Sequence, residues 1–292
     1  MRVSFFGVRG SIPCSNGALA RYGGNTSSVV VEAPGSPPIL LDLGTGVRQY
    51  GERAAADLEP GSALHAVALV THLHWDHVQG LPFFVPVLKP GGRLDVFSPA
   101  PGGGLGLAEA FDKCMCPPYF PVRLAELPGE VNFVELEDGT MRFGEVTVTS
   151  ACVPHVGPTM GFRLEWRGRT VVYIPDHQQP TDGSLAIDRR VASLVAGADL
   201  LIHDAQYTRA EFESKAEWGH STIEYAVEVA AWGGVRTLAL FHHDPTHGDE
   251  LLDELAAEGA STSRDPDLEV LAAHEGLTIH LPEAGADAQR RP

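Results

Sequence analysis

Residues 71–80 read THLHWDHVQG, placing His72, His74, Asp76 and His77 within six consecutive positions directly after the apolar run AVALV at 66–70. The apolar run is a buried strand by its composition, and it delivers the cluster to a strand end. In an extended chain His72 and His74 point to one side, because side chains alternate with period two. A turn beginning near Trp75 then puts Asp76 and His77 in the first turn of a helix. Two neighbouring groups of donors suit two cations rather than one. Imidazole with carboxylate is a donor set for zinc, and also for manganese or iron. The plain alternative, a set of exposed loop histidines, sits badly with this density.

Completing such a site requires donors from elsewhere, each delivered by a strand end. Three residues meet this condition: His155 after TVTSACVP, Asp176 after VVYIP, and His242 after LALF. One histidine after a strand is an ordinary loop residue, whereas three such ends carrying ligand-type residues form a pattern. His243 follows His242 directly, and a one-residue shift in register would exchange them. His177, His203 and His247 read as polar neighbours.

Around these positions the chain alternates strands with helices. MRVSFFGV, the end of GGNTSSVVVEA, PPILLDLGTG and LHAVALVTH read as strands, with VRQYGERAAADL helical between the last two. RLDVFSP is a strand and GLAEAFDKCM a short helix. VNFVELE and the segments through RTVVYIPDH alternate like one antiparallel sheet. Helices at SLAIDRRVASLVAG, STIEYAVEVAAWGG and DELLDELAAEG then alternate with strands at ADLLIHDAQY, VRTLALFHH, LEVLAA and LTIHL. Sheets covered on their outer faces by helices accommodate both halves, an α/β (α+β) class. No linker divides the chain, so residues 1–282 are expected to form a single hydrolase domain and 283–292 a disordered tail.

Composition narrows the functional classes. The chain has 292 residues, 43% hydrophobic and 20% charged, which is ordinary for a globular protein. No apolar stretch is long enough for a bilayer span, and MRVSFFGVRGSIP lacks the form of a signal peptide. Four cysteines in a chain of this length make no disulfide framework, so a reducing cytoplasm is expected. CMC at Cys114–Cys116 is too isolated for a zinc finger. With 21 Lys and Arg against 38 Asp and Glu, the net charge is −17. Gripping a long polyanion requires a positive footprint, and no basic run supplies one.

HLHWDH resembles the His-x-His-x-Asp-His signature of the metallo-β-lactamase superfamily at every required position, and the likeness runs from Asp42 to His242. It implies a four-layer αββα sandwich with a dinuclear site at one edge. By that resemblance His72, His74 and His155 hold one metal ion, Asp76, His77 and His242 hold the other, and Asp176 bridges them. The family places its last ligand directly after the strand, which favours His242 over His243. Asp42 resembles the aspartate that steadies the histidine loop without touching metal.

GADLLIHDAQY followed by WGHST is similar to the phosphodiesterase branch, which includes tRNase Z and the PhnP-type cyclic phosphodiesterases. There an acidic residue orients a later histidine, and the matching positions are Asp204 and His220. The expected catalytic set is thus Asp76, His220 and Asp204. Near a scissile phosphate, His220 could donate a proton to the leaving oxygen. The basic, Gly-rich arm of tRNase Z has no counterpart, since PAPGGGLGLAEAF carries no Lys or Arg. The expected activity is therefore that of a dinuclear metal-dependent hydrolase, a phosphodiesterase acting on a small or cyclic phosphodiester, with two divalent ions, foremost Zn2+. A carboxylic ester, lactone or thioester is the alternative substrate, and a non-catalytic metal-binding sensor or scaffold the alternative class. Expected partners are a small-molecule phosphodiester substrate, no large nucleic acid and no membrane, with a homodimer left open. GVRGSIP and RYGGNTSS are turns that bring Ser11, Asn25 and Thr26 to the metal edge, to touch phosphate or to support the loop.

Overall fold

The computed structural model describes residues 1–285. Six strands, β1 (Arg2–Gly7), β2 (Ser28–Glu32), β3 (Ile39–Leu41), β4 (His65–Leu69), β5 (Arg93–Pro99) and β6 (Glu130–Leu136), lie side by side in chain order in one sheet. A second sheet runs, again in chain order, through β7 (Gly139–Phe143), β8 (Val146–Cys152), β9 (Met160–Trp166), β10 (Arg169–Ile174), β11 (Leu200–Asp204), β12 (Thr237–Phe241) and β13 (Glu269–Ala272). The last strand, β14 (Thr278–His280), crosses back and pairs antiparallel with β1, giving each sheet seven strands.

The alternation along the strands decides the layering. Val29, Val31, Leu41, Val67 and Leu69 turn inward against Val148, Phe162, Leu164, Val171, Tyr173 and Ile202 of the other sheet. Their neighbours Val30, Leu40, Ala66, Ala68 and Val70 turn outward onto α1 (Val47–Asp57). On the far side Val172, Ile174, Leu201, Leu238 and Leu240 pack against helices, as described next. A one-residue slip would exchange these two sets, so the register is strongly specified. Each buried Val, Leu or Ile contributes roughly 1.5–3 kcal/mol to that specification.

The remaining helices are α2 (Trp75–Val78), α3 (Leu107–Cys114), α4 (Arg189–Val195), α5 (Arg209–Lys215), α6 (Ile223–Gly233) and α7 (Asp249–Thr262). Leu107 and Phe111 of α3 join the outer layer of the first sheet, while residues of α4, α6 and α7 cover the second. The result is the four-layer αββα sandwich expected from the sequence. The short turn of helix after the histidine run is also where the sequence places it, whereas α5 is not among the segments read as helical. No helix among the described residues is long and apolar enough to cross a membrane.

One strand departs from expectation. VNFVELE, read as the start of the antiparallel sheet, is β6 and pairs parallel with β5 in the first sheet. The antiparallel run begins only at β7. Alternation reports which face is buried, and it carries no information on which neighbour a strand chooses. Of the tail expected at 283–292, residues 286–292 lie outside the described residues. Within the described part, Glu283 pairs with Arg167 at 3.0 Å, and the Ala284 N–H donates to the Arg167 carbonyl.

Strand direction explains where chemistry collects. β3, β4 and β5 are parallel, as are β10, β11, β12 and β13, while β1 and β8 each reach that orientation through two antiparallel steps. Their carboxyl ends therefore emerge along one edge, the usual location for ligand sites in such sheets. The backbone is sharply turned there: Ser11, Asp42 and His242 have φ of 62°, 61° and 58° without being glycine. Left-handed backbone at non-glycine residues is costly and persists where the surroundings over-determine it.

Candidate functional site

Asp42 follows β3 and is fully buried. Its Oδ1 accepts from the Thr71 N–H at 2.7 Å and from Thr71 Oγ1 at 3.0 Å. Its Oδ2 accepts from Tyr173 Oη at 2.8 Å and lies 2.7 Å from His77 Nδ1. A carboxylate accepts, so a His77 proton sits on Nδ1 and Nε2 is the atom turned to the cluster. That Nε2 is buried without a hydrogen-bond partner, as is Asp176 Oδ1, which lies 3.1 Å away. Burial disfavours a charged His77, yet Asp76, Asp176 and Asp42 outweigh it and hold its pKa well above the usual histidine value. This position is built to attract positive charge.

Three of the other histidines, His72, His155 and His242, are fixed in the same way from outside the cluster. Thr71 Oγ1, having given its proton to Asp42, accepts from His72 Nδ1 at 3.0 Å. The Gly219 carbonyl accepts from His155 Nδ1 at 2.6 Å. Gln206 Oε1 accepts from His242 Nδ1 at 2.8 Å. Each partner takes the outward Nδ1 proton and turns Nε2 toward the centre, the arrangement that orients metal-binding imidazoles.

Among the described residues the donor atoms converge in three overlapping groups. His72, His74, His155 and Asp176 bring donor atoms within 4.8 Å of one another, and so do Asp76, His77 and His242. In the first group His72 Nε2 and His155 Nε2 lie 2.8 and 3.4 Å from His74 Nδ1. Burial pushes the pKa of His72, His74 and His155 down, so these rings are neutral donors. In the second group Asp76 Oδ2 lies 3.0 Å from His242 Nε2 and 3.2 Å from His77 Nε2, while it accepts the Ser11 N–H at 2.8 Å. Burial raises the Asp76 carboxyl, but His77 and His242 pull harder and hold it well below the usual range. Asp176 stands between the groups. Its Oδ1 lies 3.1 and 3.3 Å from His77 and His242, and its Oδ2 lies 3.7 and 3.5 Å from His72 and His155. Imidazole nitrogens and carboxylate oxygens facing one another at such distances form a donor set that fits divalent cations, which would take the place of protons between them.

His220 makes the third group with Asp176 and His242, and Asp204 holds its ring from outside. Asp204 Oδ2 lies 2.8 Å from His220 Nδ1 and accepts the His177 N–H at 3.0 Å. The His220 ring stacks on His242 at 4.9 Å. Desolvation pulls the His220 pKa down, but Asp204, Asp176 and Asp76 together raise it. His220 Nδ1 lies 3.8 Å from Asp176 Oδ2, so this ring borders the cluster.

All seven candidate ligands, with His220 and Asp204, thus lie together. His243 does not: it points the other way, with Nε2 2.9 Å from the Ala273 carbonyl, and burial lowers its pKa to about 3. His177 and His203 form a buried pair at 2.9 Å beneath Asp204, and His247 pairs with Glu211 at 2.9 Å. Of the turn residues, Ser11 supports Asp76 through its backbone, Thr26 bonds Thr45 reciprocally, and Asn25 donates to Glu275. Sequence reasoning missed Gln206, Thr71 and Tyr173. A lone Gln, Thr or Tyr after or within a strand carries no signature of a partner distant in the chain.

Comparison with known proteins adds family and name. The beta-lactamase superfamily domain matches residues 38–243. A protein named ribonuclease Z from Halobacterium salinarum is 29% identical over 98% of this chain and 99% of its own length. Among solved structures, human tRNase Z, short form, superposes with a TM-score of 0.63 at 21% identity, covering 97% of this chain and 100% of its own. A diphosphatase from the PhnP family superposes with a TM-score of 0.68 at 15% identity, covering 97% and 98%.

The ribonuclease name over nearly the full length overturns the expectation that no large nucleic acid is a partner. The physical reason is that net charge sums over a whole surface, while phosphate is gripped locally. The alignment with the Halobacterium protein runs to 335 positions, more than the 292 residues here, so that relative carries segments this chain lacks.

Proposed function

The chain belongs to the beta-lactamase superfamily and is a metal-dependent hydrolase, and from that premise we propose that it is a phosphodiesterase acting on RNA. The observation that carries the two-metal reading is Asp176, one oxygen of which faces each group of histidines. In this reading His72, His74 and His155 would hold one cation, Asp76, His77 and His242 would hold the other, and Asp176 would serve both. The imidazole–carboxylate set favours zinc, with manganese and iron as fitting substitutes. When bound, a pair of divalent cations lowers the pKa of water and neutralises charge developing on phosphoryl oxygens.

The protein's own groups then divide the work. Asp42, Thr71, Gly219 and Gln206 hold the imidazoles in one tautomer and orientation. His220, whose pKa Asp204 raises, donates to the departing ribose oxygen or stabilises the charged phosphoryl group. Residues 1–282 form the catalytic domain, and the setting is the cytoplasm. The ribonuclease names of relatives spanning nearly the whole chain support RNA as substrate. Because the surface is acidic, RNA is held by contacts close to the scissile bond rather than along its length.

A substrate panel tests the reaction class. Bis-p-nitrophenyl phosphate, p-nitrophenyl acetate and a lactone are offered to protein reconstituted with zinc or manganese. Hydrolysis of the diester, abolished by chelation, is expected. Preference for the acetate or the lactone would replace this reading with the ester one, and no turnover of any of them would leave a binding protein.

A further inference from the structure

The four residues of α2 divide between two tasks. Asp76 and His77 are buried in the metal cluster, while Trp75 and Val78, with Gln79 just beyond, line a separate cavity of about 290 Å³ on the opposite face. Phe83, Met115, Tyr119 and Phe120 are among its other walls. Phe83 and Phe120 meet edge to face at 5.9 Å and make one rigid side. Three of these aromatics stand in water: Trp75 is 73% exposed, Tyr119 80% and Phe83 52%. Aromatic surface left open in one contiguous place marks a binding site. Its position is as informative, because Trp75 lies between His74 and Asp76 in the chain. The cavity and the metal cluster therefore share this one short helix.

We infer that this cavity is a subsite for a nucleobase of the bound RNA next to the scissile phosphate. The inference rests on the phosphodiesterase reading above. Flat π-faces that accept any base are the chemistry of single-stranded nucleic-acid recognition. The site also answers the acidic surface. Stacking holds an RNA strand without requiring the phosphate neutralisation that a net charge of −17 disfavours. A volume of about 290 Å³ accommodates one base with room for its ribose.

Trp75 supplies a direct readout, since a base stacked on indole quenches its fluorescence. Metal-reconstituted protein is titrated with adenosine 5′-monophosphate and, in parallel, with ribose 5-phosphate, which offers the same phosphate without a base. The nucleotide should quench saturably and bind about tenfold or more tightly than the sugar phosphate. Trp75→Phe should abolish the signal. Phe83→Ala and Tyr119→Ala should each remove most of the tenfold advantage, while metal content and ribose 5-phosphate affinity stay unchanged. Equal affinities for the two ligands, or an advantage untouched by either variant, would overturn the proposal. So would absence of quenching together with a concentration-dependent dimer that Tyr119→Ala dissociates, because a second copy would then cover the cavity. The two readings fail separately. Quenching without diester hydrolysis would contradict the phosphodiesterase reading, and hydrolysis without a nucleotide advantage would contradict the subsite.

Discussion

Gln206 Oε1 accepts the His242 Nδ1 proton at 2.8 Å, and the Gln206 backbone N–H donates to Asp204 Oδ1 at 3.0 Å. The other oxygen of Asp204 holds His220 at 2.8 Å. One buried carboxylate therefore sets both the proton-bearing imidazole and, through one glutamine, the last candidate metal ligand.

Gln206→Ala should lower metal affinity by about 10–100-fold, since imidazole orientation at a metal depends on the partner of its other nitrogen. Gln206→Glu, whose carboxylate can accept the same proton, should restore most of it. Competition against a chromogenic chelator measures both. Unchanged affinity in Gln206→Ala would show that His242 needs no such support.

His220→Ala should keep its metal and its melting temperature while losing at least about a hundredfold in catalytic rate on a phosphodiester. Asp204→Asn should differ from it, because Asp204 also anchors Gln206. It is expected to lose both rate and metal. Metal analysis and steady-state kinetics on the two variants separate these outcomes, and loss of metal in His220→Ala would make His220 a ligand.

His242→Ala should lose metal far more readily than His243→Ala. The His243 ring is turned away to the Ala273 carbonyl and packs edge-on against Tyr22 at 5.8 Å. Its truncation should cost stability, roughly 1–3 kcal/mol for a buried group that fills space and makes a hydrogen bond. Elemental analysis and thermal melting check the pair. The reverse ranking would place the wrong histidine in the cluster.

Asp42→Ala should be the most destabilising change at this edge. It strands the Thr71 N–H, the Tyr173 hydroxyl and His77 Nδ1, all of which Asp42 now serves. Each stranded buried donor costs about 1–3 kcal/mol. Denaturant unfolding of metal-free protein should show the loss, and an unchanged midpoint would contradict it.

How far the sequence carried differs between fold and site. Apolar alternation placed the strands, and it located His72, Asp176 and His242 at strand ends, because those residues follow directly after apolar runs. It could not place β6, since an edge strand shows the same alternation in either sheet. Gln206 stayed invisible because its partner, His242, is 36 positions away. Net charge misled about partners for a related reason. It averages 38 acidic residues, several of them buried at the cluster, into a statement about the whole surface.

The most direct measurement is cleavage of a precursor tRNA carrying a 3′ trailer by zinc- or manganese-reconstituted protein, followed by gel and end analysis. Endonucleolytic release of the trailer is expected, abolished by chelation and reduced at least about a hundredfold in His220→Ala. RNA left intact by protein that holds two metal ions per chain and hydrolyses a carboxylic ester or lactone would contradict it.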